Sequence, residues 1–285
     1  LLYLAAAGIG KIGIVDNDYV EKSNLQRQII HETNTIGSLK IDSAQERIKK
    51  FNPNSELLTF AERINPKNAL EIIQKFDIVC DCSDNFGTRY LINDACLILN
   101  KPLVFGSVQG FEGQVSVFNL NKTSPNLRDL LPESPSKNAV PSCAEYGVVG
   151  VSTGLIGIIQ VNEIIKIILK KGEVLDGKIM VFDLLHMNTK KLHLKSDQVN
   201  KQIKNLSKFM DYYSDDECST ENRKINRINA YDFISLYKIK PNEILLIDVR
   251  ENEEFSASAI EGSISLPLSH LNQKPDLEFI QKESL

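Results

Sequence analysis

Two short stretches of the sequence gather side chains able to hold a polyphosphate and a metal ion. The first, residues 12–31, reads IGIVDNDYVEKSNLQRQIIH. Asp16 closes an apolar run, and a carboxylate at the carboxyl end of a strand can accept both hydroxyls of a ribose. Ser23, Asn24, Gln26 and Arg27 follow within one loop. Their hydroxyl, amide and guanidinium groups suit phosphate oxygens. Lys40 comes thirteen residues after Arg27 at the start of an amphipathic segment, where a helix dipole also favours an anion. The second stretch is Asp81-Cys82-Ser83-Asp84-Asn85. Ligands of open α/β sheets sit off the carboxyl ends of strands. Asp84 is therefore a candidate to hold Mg²⁺ against phosphates, with Asn85 orienting it. Each residue also has a plain structural reading: Asp16 as a turn cap, Lys40 as a solvated lysine, Asp84-Asn85 as a turn.

The elements needed to position these residues can be read from periodicity. An apolar helix opens the chain over 1–7, and strands are predicted at Lys11–Val15, Glu56–Phe60, Asp77–Cys82 and Pro102–Gly106. Helices are predicted between them at Ile41–Phe51, Lys67–Lys75 and Thr88–Asn100. This alternation is that of a parallel sheet covered by helices. Gly113–Asn119 alternates with a period of two and suits an antiparallel strand. A polar loop runs from Leu120 to about Ser142, long enough to be a functional crossover. Strands at Lys178–Asp183 and Lys190–Leu194 close a first domain, residues 1–195. Residues 196–224 read as a polar linker. Residues 225–285 begin a second α/β unit, with a helix at Ile225–Tyr237 and an apolar strand at Ile244–Val249.

The composition is that of an ordinary globular protein, 42% hydrophobic and 25% charged. A net charge of −4 gives no electrostatic reason to expect nucleic acid or an anionic membrane as partner. Five cysteines without a dense framework point to a reducing compartment, and a cytoplasmic protein is expected. The apolar stretch from Val148 to Leu169 contains Gln160, Asn162, Glu163 and Lys166. It reads as a core helix rather than a membrane span.

Taken together, YLAAAGIG, SNLQRQIIH, DCSDN and EGQVSVF resemble the ThiF/MoeB family of E1-like adenylyltransferases, over Leu1 to about Leu194. The resemblance implies a Rossmann-like α/β fold, mostly parallel with an antiparallel extension. It implies ATP-dependent adenylation of the C-terminal carboxylate of a ubiquitin-like sulfur-carrier protein ending in Gly-Gly. Asp16 would then bind ribose, Asn24, Arg27 and Lys40 the triphosphate, and Asp84 the Mg²⁺. Cys143, at the exit of the crossover, is a candidate for a covalent link to the carrier. A homodimer and a sulfur donor such as a cysteine desulfurase are further implied. Two other readings are a non-catalytic scaffold of the same fold and an NAD(P)-dependent oxidoreductase, which leaves SNLQRQ and DCSDN unexplained.

The sequence departs from that family in three places. Members bind structural zinc through two Cys-x-x-Cys pairs. Here Asn126 and Asp129 stand at the first, and no cysteine pair falls between Ser196 and Glu217, so a zinc-free variant is expected. The family's Gly-rich phosphate loop and an upstream arginine are not within the sequence; the chain reads as a fragment expected to bind ATP poorly. Residues from Ile247 to Pro267 resemble the beginning of a rhodanese domain, without the cysteine that carries rhodanese chemistry.

Overall fold

Strand β4, Leu103–Gln109, shows how alternation builds a sheet with two buried faces. Leu103 and Phe105 point to one side, into a cluster with Ala69, Ile73, Tyr90, Leu91 and Phe118. Val104 points to the other, into a cluster with Val115, Val117, Ile156 and Ile164. Successive strand residues face opposite ways, so both sides of β4 are apolar and both must be covered. A computed structural model describes the protein over residues 1–132, 147–206, 230–239 and 244–267.

The chain divides into two compact units, Leu1–Cys218 and Ser219–Leu285. In the first unit α1 (Leu2–Ala6) leads into β1 (Lys11–Val15), α2 (Lys40–Phe51) and β2 (Glu56–Phe60). Then come α3 (Ala69–Ile73), β3 (Val79–Asp81), α4 (Phe86–Leu99), β4 and β5 (Glu112–Phe118). A short helix α5 (Leu127–Leu130), the long helix α6 (Gly150–Leu169), β6 (Lys178–Asp183) and β7 (Asn188–His193) complete it. The strands form two sheets rather than one. β1 and β2 pair in parallel, while the second sheet runs β3-β4-β5-β6-β7, parallel only between β3 and β4. The predicted parallel pairs are therefore present, but the antiparallel extension makes up most of the larger sheet.

Side chains join the two sheets. The segment leading into β3 lays the Phe76 ring across Gly13 of β1, so close that a Cβ there would fall 2.2 Å from a ring carbon. Ala5, Ile12 and Ile48 pack α1 and α2 on the first sheet, and Leu4 reaches both this cluster and the one under α6. Asn52 ends α2, and its Nδ2 donates to the Ala5 carbonyl at 2.7 Å, satisfying an acceptor at the end of α1.

Helix α6 is long and apolar enough to cross a membrane by length and composition. It packs instead on β4 and β5. Two of its polar groups point into the protein: the Gln160 amide donates to Asp81 and Val104 carbonyls, and Glu163 accepts the Leu175 N–H at 2.9 Å.

Of the predicted linker, residues 196–206 are described and 207–224 lie outside the described residues. Residues 196–206 are docked on the first unit, with a 3₁₀ turn at Val199–Lys201 and with Ile203 and Leu206 buried. The polar composition that suggested a linker serves a hydrogen-bonded clasp. The Asp129 carboxylate accepts the Asn126 N–H at 2.8 Å through one oxygen. Through the other it accepts the Asp197 N–H and the Asn200 amide, each at 2.8 Å. Asn126, at the other position expected for cysteine, accepts the Arg128 N–H at 2.9 Å.

In the second unit α7 (Ala230–Ile239) precedes β8 (Ile247–Asp248), α8 (Asn252–Ala257) and β9 (Ile264–Ser265), with β8 and β9 parallel. Arg250 grips the Asp248 carboxylate through Nε and Nη2, and its Nη2 donates to the Ser258 carbonyl at 2.6 Å. The helix predicted at Ile225–Tyr237 is described only from Ala230, and much of the strand predicted at Ile244–Val249 is shortened to two paired residues.

Asp129→Ala removes the acceptor for three donors at once, and hydrogen bonds to a charged group are each worth more than neutral ones. We expect a loss of about 2 kcal/mol, measured by urea denaturation. An unchanged midpoint would show that the clasp does not hold residues 197–200.

Candidate functional site

β1 ends at Val15, and the next residues place a cation between two carboxylates. The Asp16 backbone N–H still donates to Phe60 of β2 at 3.2 Å, so Asp16 is fixed at the sheet's carboxyl end. One Asp16 oxygen accepts the Asp18 N–H at 2.8 Å, turning the chain. Lys40, the first residue of α2, donates its own N–H to the Asp18 carbonyl at 2.9 Å. Its ammonium lies 2.6 Å from the Asp18 carboxylate and 3.9 Å from that of Asp16. The Lys40 side chain is only 13% exposed, while Asp18 is 63% exposed. The charge is thus sheltered on the protein side and balanced from the solvent side. Asp18 is the partner that sequence reasoning missed; its signal was its place two residues after Asp16.

The Ser23–Arg27 loop is built by its own hydrogen bonds. Asn24 is buried and its Oδ1 accepts the Glu21 N–H at 3.2 Å, while Ser23 donates to the Glu21 carboxylate at 3.1 Å. Arg27 Nη1 donates to the Ser23 carbonyl at 3.0 Å, which curls the guanidinium back over the loop. Gln26 Nε2 donates to the Val148 carbonyl at 3.2 Å, just ahead of α6. The first residue of α6, Gly150, lies against the Gln26 carbonyl; a Cβ there would stand 2.0 Å from that oxygen. Only glycine permits this approach.

At the end of β3, the Asp81 carboxylate accepts both the N–H and the hydroxyl of Ser83, at 2.9 and 2.6 Å. Arg89 of α4 is buried, stacks on Phe105 and donates to the carbonyls of Ser83 and Gly106. This pins the DCSDN loop from beneath. Asn85 is the N-cap of α4, its Oδ1 accepting the Thr88 N–H at 2.8 Å. That is the turn role, so the Asn85 oxygen is already engaged. Asp84 is exposed, and its carboxylate has no hydrogen bond or ion pair among the described residues. Cys143 lies outside the described residues.

Helix α6 relates the two loops. Gly150 touches Gln26 and Gln160 holds Asp81. Ten residues separate those contacts, a span of about 15 Å along a helix. Asp16 and Lys40 are brought together with Asp18, Ser23, Asn24, Gln26 and Arg27 share one loop, and Asp84 and Asn85 share another. No hydrogen bond or ion pair joins these three sets among the described residues.

Two thiols flank Asp81. Cys80 and Cys82 have their sulfurs 3.8 Å apart. The hydrogen bond between them raises the Cys80 pKa and lowers that of Cys82, with burial adding to the first and opposing the second. Burial pushes the Cys96 thiol far up, leaving it inert in the core.

A twisted α/β unit whose helices cover both sheet faces, with polar loops at the carboxyl ends of β1 and β3, is a nucleotide-binding class of architecture. Solved structures agree on the fold. The chain is similar to E. coli MccB in the complex named MccB + MccA-N7isoASN, with a TM-score of 0.61 and 19% identity, over 70% of this chain and 61% of that one. It is similar to PaaA with a TM-score of 0.56 and 21% identity, over 69% of this chain and 60% of that one. The chain belongs to the ThiF family, which matches residues 1–203.

Among its relatives is the "Adenylyltransferase and sulfurtransferase MOCS3" of Drosophila virilis, 38% identical over 281 residues, or 94% of this chain. Another is the "Probable adenylyltransferase/sulfurtransferase MoeZ" of Mycobacterium tuberculosis, 38% identical over 279 residues, or 95% of this chain. The chain spans 62% of the length of the first relative and 70% of the second.

His31 lies beside this site, buried, with Nδ1 2.9 Å from the Ser43 hydroxyl. Burial lowers its pKa, the Lys40 charge lowers it further, and Asp16 pulls the other way. The unfolded chain therefore takes up this proton more readily, and stability is lost as pH falls below about 6.5 towards the lower pKa of the folded state. The urea midpoint should drop as the pH falls below about 6.5, and His31→Gln should flatten that part of the dependence. An identical slope in the variant would assign it to other groups.

Proposed function

We propose that the protein containing this chain adenylates the C-terminal glycine carboxylate of a ubiquitin-like sulfur carrier, using ATP and Mg²⁺, ahead of thiocarboxylate formation. The observation that carries this reading is Lys40, sheltered at the end of β1 between Asp16 and Asp18. The names of the relatives, which pair adenylyltransferase with sulfurtransferase, support it.

A carboxylate is a poor electrophile, and joining it to AMP makes its carbon open to attack. In the proposed reaction a carboxylate oxygen attacks the α-phosphorus of ATP and pyrophosphate leaves. Charge then builds on the leaving group, and fixed cations stabilise it most where their geometry is already set. Lys40 is set in this way by its carboxylate partners, and Arg27 by the Ser23 carbonyl. Asp16 keeps one oxygen away from the turn hydrogen bond, in place to accept ribose hydroxyls. Ser23, Asn24 and Gln26 shape the loop that carries Arg27. Asp84, exposed and without a partner among the described residues, suits Mg²⁺, which would neutralise phosphate charge. The same reading includes a Gly-Gly-ended carrier, a sulfur donor such as a cysteine desulfurase, and a homodimer. The exposed apolar residues Val151, Ile158 and Leu169 of α6 support the last of these.

The test is ATP–pyrophosphate exchange by the whole protein with a Gly-Gly-ended carrier. Exchange should depend on the carrier and fall on the order of 10²-fold in Lys40→Ala and in Asp84→Ala. Lys11→Ala, which removes an exposed ion pair with Glu56, should leave it unchanged. Absence of exchange with every such carrier, or full exchange in Lys40→Ala, would overturn the reading.

A further inference from the structure

We infer that the buried pair of His31 and Ser43 positions the two cations of the proposed reaction, Arg27 and Lys40, relative to each other. The inference rests on the adenylation reading and extends it to two side chains outside its machinery.

From Asn24 to His31 the backbone is a run of linked turns. The Asn24 carbonyl accepts the N–H groups of Arg27 and Gln28, at 3.0 and 2.9 Å, and the Gln28 carbonyl accepts that of His31 at 3.0 Å. Arg27 and the His31 ring are therefore carried on one short unit of backbone. On the other side, Ser43 lies in the first turn of α2, three residues after Lys40. Its N–H closes that turn on the Leu39 carbonyl at 3.1 Å. Residues three apart are neighbours on a helix surface. His31 Nδ1 and the Ser43 hydroxyl meet at 2.9 Å, and both residues are buried.

Among the described residues, no other hydrogen bond joins residues 23–31 to α2. Ile30 packs on the apolar cluster of Ala5, Ile12 and Ile48, but apolar contact is non-directional and sets no orientation. Glu32 and Arg47 form the next tie along the chain, between exposed side chains, where an ion pair contributes little. The His31–Ser43 bond is thus the directional link from the unit carrying Arg27 to the helix carrying Lys40. The ring is not itself a phosphate cation. Burial and the Lys40 charge oppose its protonation, and Asp16 pulls the other way. What a neutral, engaged imidazole supplies here is position. Two cations act on one leaving group only when their spacing is already set, and a small misplacement is costly.

The experiment follows ATP–pyrophosphate exchange by the whole protein with a Gly-Gly-ended carrier. Ser43→Ala and His31→Ala should each lower kcat by about tenfold or more, with the KM for ATP changed by less than about threefold. The double variant should be no slower than either single one, because both remove the same bond. His31→Asn, whose amide stands near the place of Nδ1, should recover most of the loss. Arg47→Ala, which breaks the exposed tie, should leave kcat unchanged. A second measurement is independent of activity. Amide hydrogen–deuterium exchange over residues 24–31 should quicken in Ser43→Ala while that of β1 and β2 stays the same, which also shows that the variant is folded. Full kcat in Ser43→Ala, additive losses in the double variant, or unaltered deuterium uptake over 24–31 would each overturn the inference. A wild-type protein without pyrophosphate exchange would overturn the adenylation reading and this inference with it, whereas deuterium uptake judges the link alone.

Discussion

A buried amide must find partners, and the position of Gln160 follows from that requirement. Gln160 is 3% exposed in the middle of a mostly apolar helix. The only way to bury it cheaply is to aim its N–H groups at carbonyls, and it meets those of Asp81 and Val104. That contact fixes where α6 lies on the sheet and its rotation about its own axis. Once α6 is fixed, its first residue falls on the Gln26 carbonyl, where only a glycine fits. The loop carrying Arg27 and the loop carrying Asp84 are thereby referred to one rigid body, although their strands belong to different sheets.

Helix α4 imposes the second constraint. It is buried nearly all round, and three of its buried residues are polar or charged: Arg89, Asn93 and Asp94. A charge taken out of water must be paired or it costs several kcal/mol. Arg128 meets Asp94 with two parallel hydrogen bonds, of 3.0 and 2.6 Å, and Asn93 accepts the Leu127 N–H at 2.9 Å. These contacts bring α5 onto α4 at the start of the crossover. The capping box of α5 then sets Asp129, and Asp129 draws in residues 197–200. Arg89, at the other end of the same helix, supports the DCSDN loop. One helix therefore holds the candidate metal loop and the base of the crossover.

What could be read in the sequence was mostly local. β1, β2 and β6 fall on the residues that alternation predicted, because a five- or six-residue apolar pattern is complete within itself. The candidate residues around Asp16 and Lys40 were found because one loop carries most of them. What was missed depends on distant partners. Gln160 served only as an argument against a membrane span, since nothing nearby in sequence announces Asp81 as its acceptor. Residues 196–206 looked like a linker because their polar side chains bond to α5, some seventy residues earlier. The division into two sheets depends on whether β1 pairs with β3, and strand neighbours are not encoded in either strand's own pattern.

Under the proposed function, the electrostatics at β1 would let a polyanion take over the balancing of Lys40. An ammonium as sheltered as that of Lys40 needs a negative partner at all times, or its desolvation is uncompensated. Asp16 and Asp18 supply one in the absence of a ligand. Asp18, mostly exposed, gives up little when displaced, since exposed ion pairs are worth at most about 1 kcal/mol. On that reading, a phosphate carrying more charge would take the place of Asp18 at small cost. Asp16 cannot be displaced so easily, because its backbone belongs to the ladder with β2 and one of its oxygens closes the turn. On the proposed function, the exchangeable carboxylate would balance the cation and the fixed one would accept hydroxyl groups.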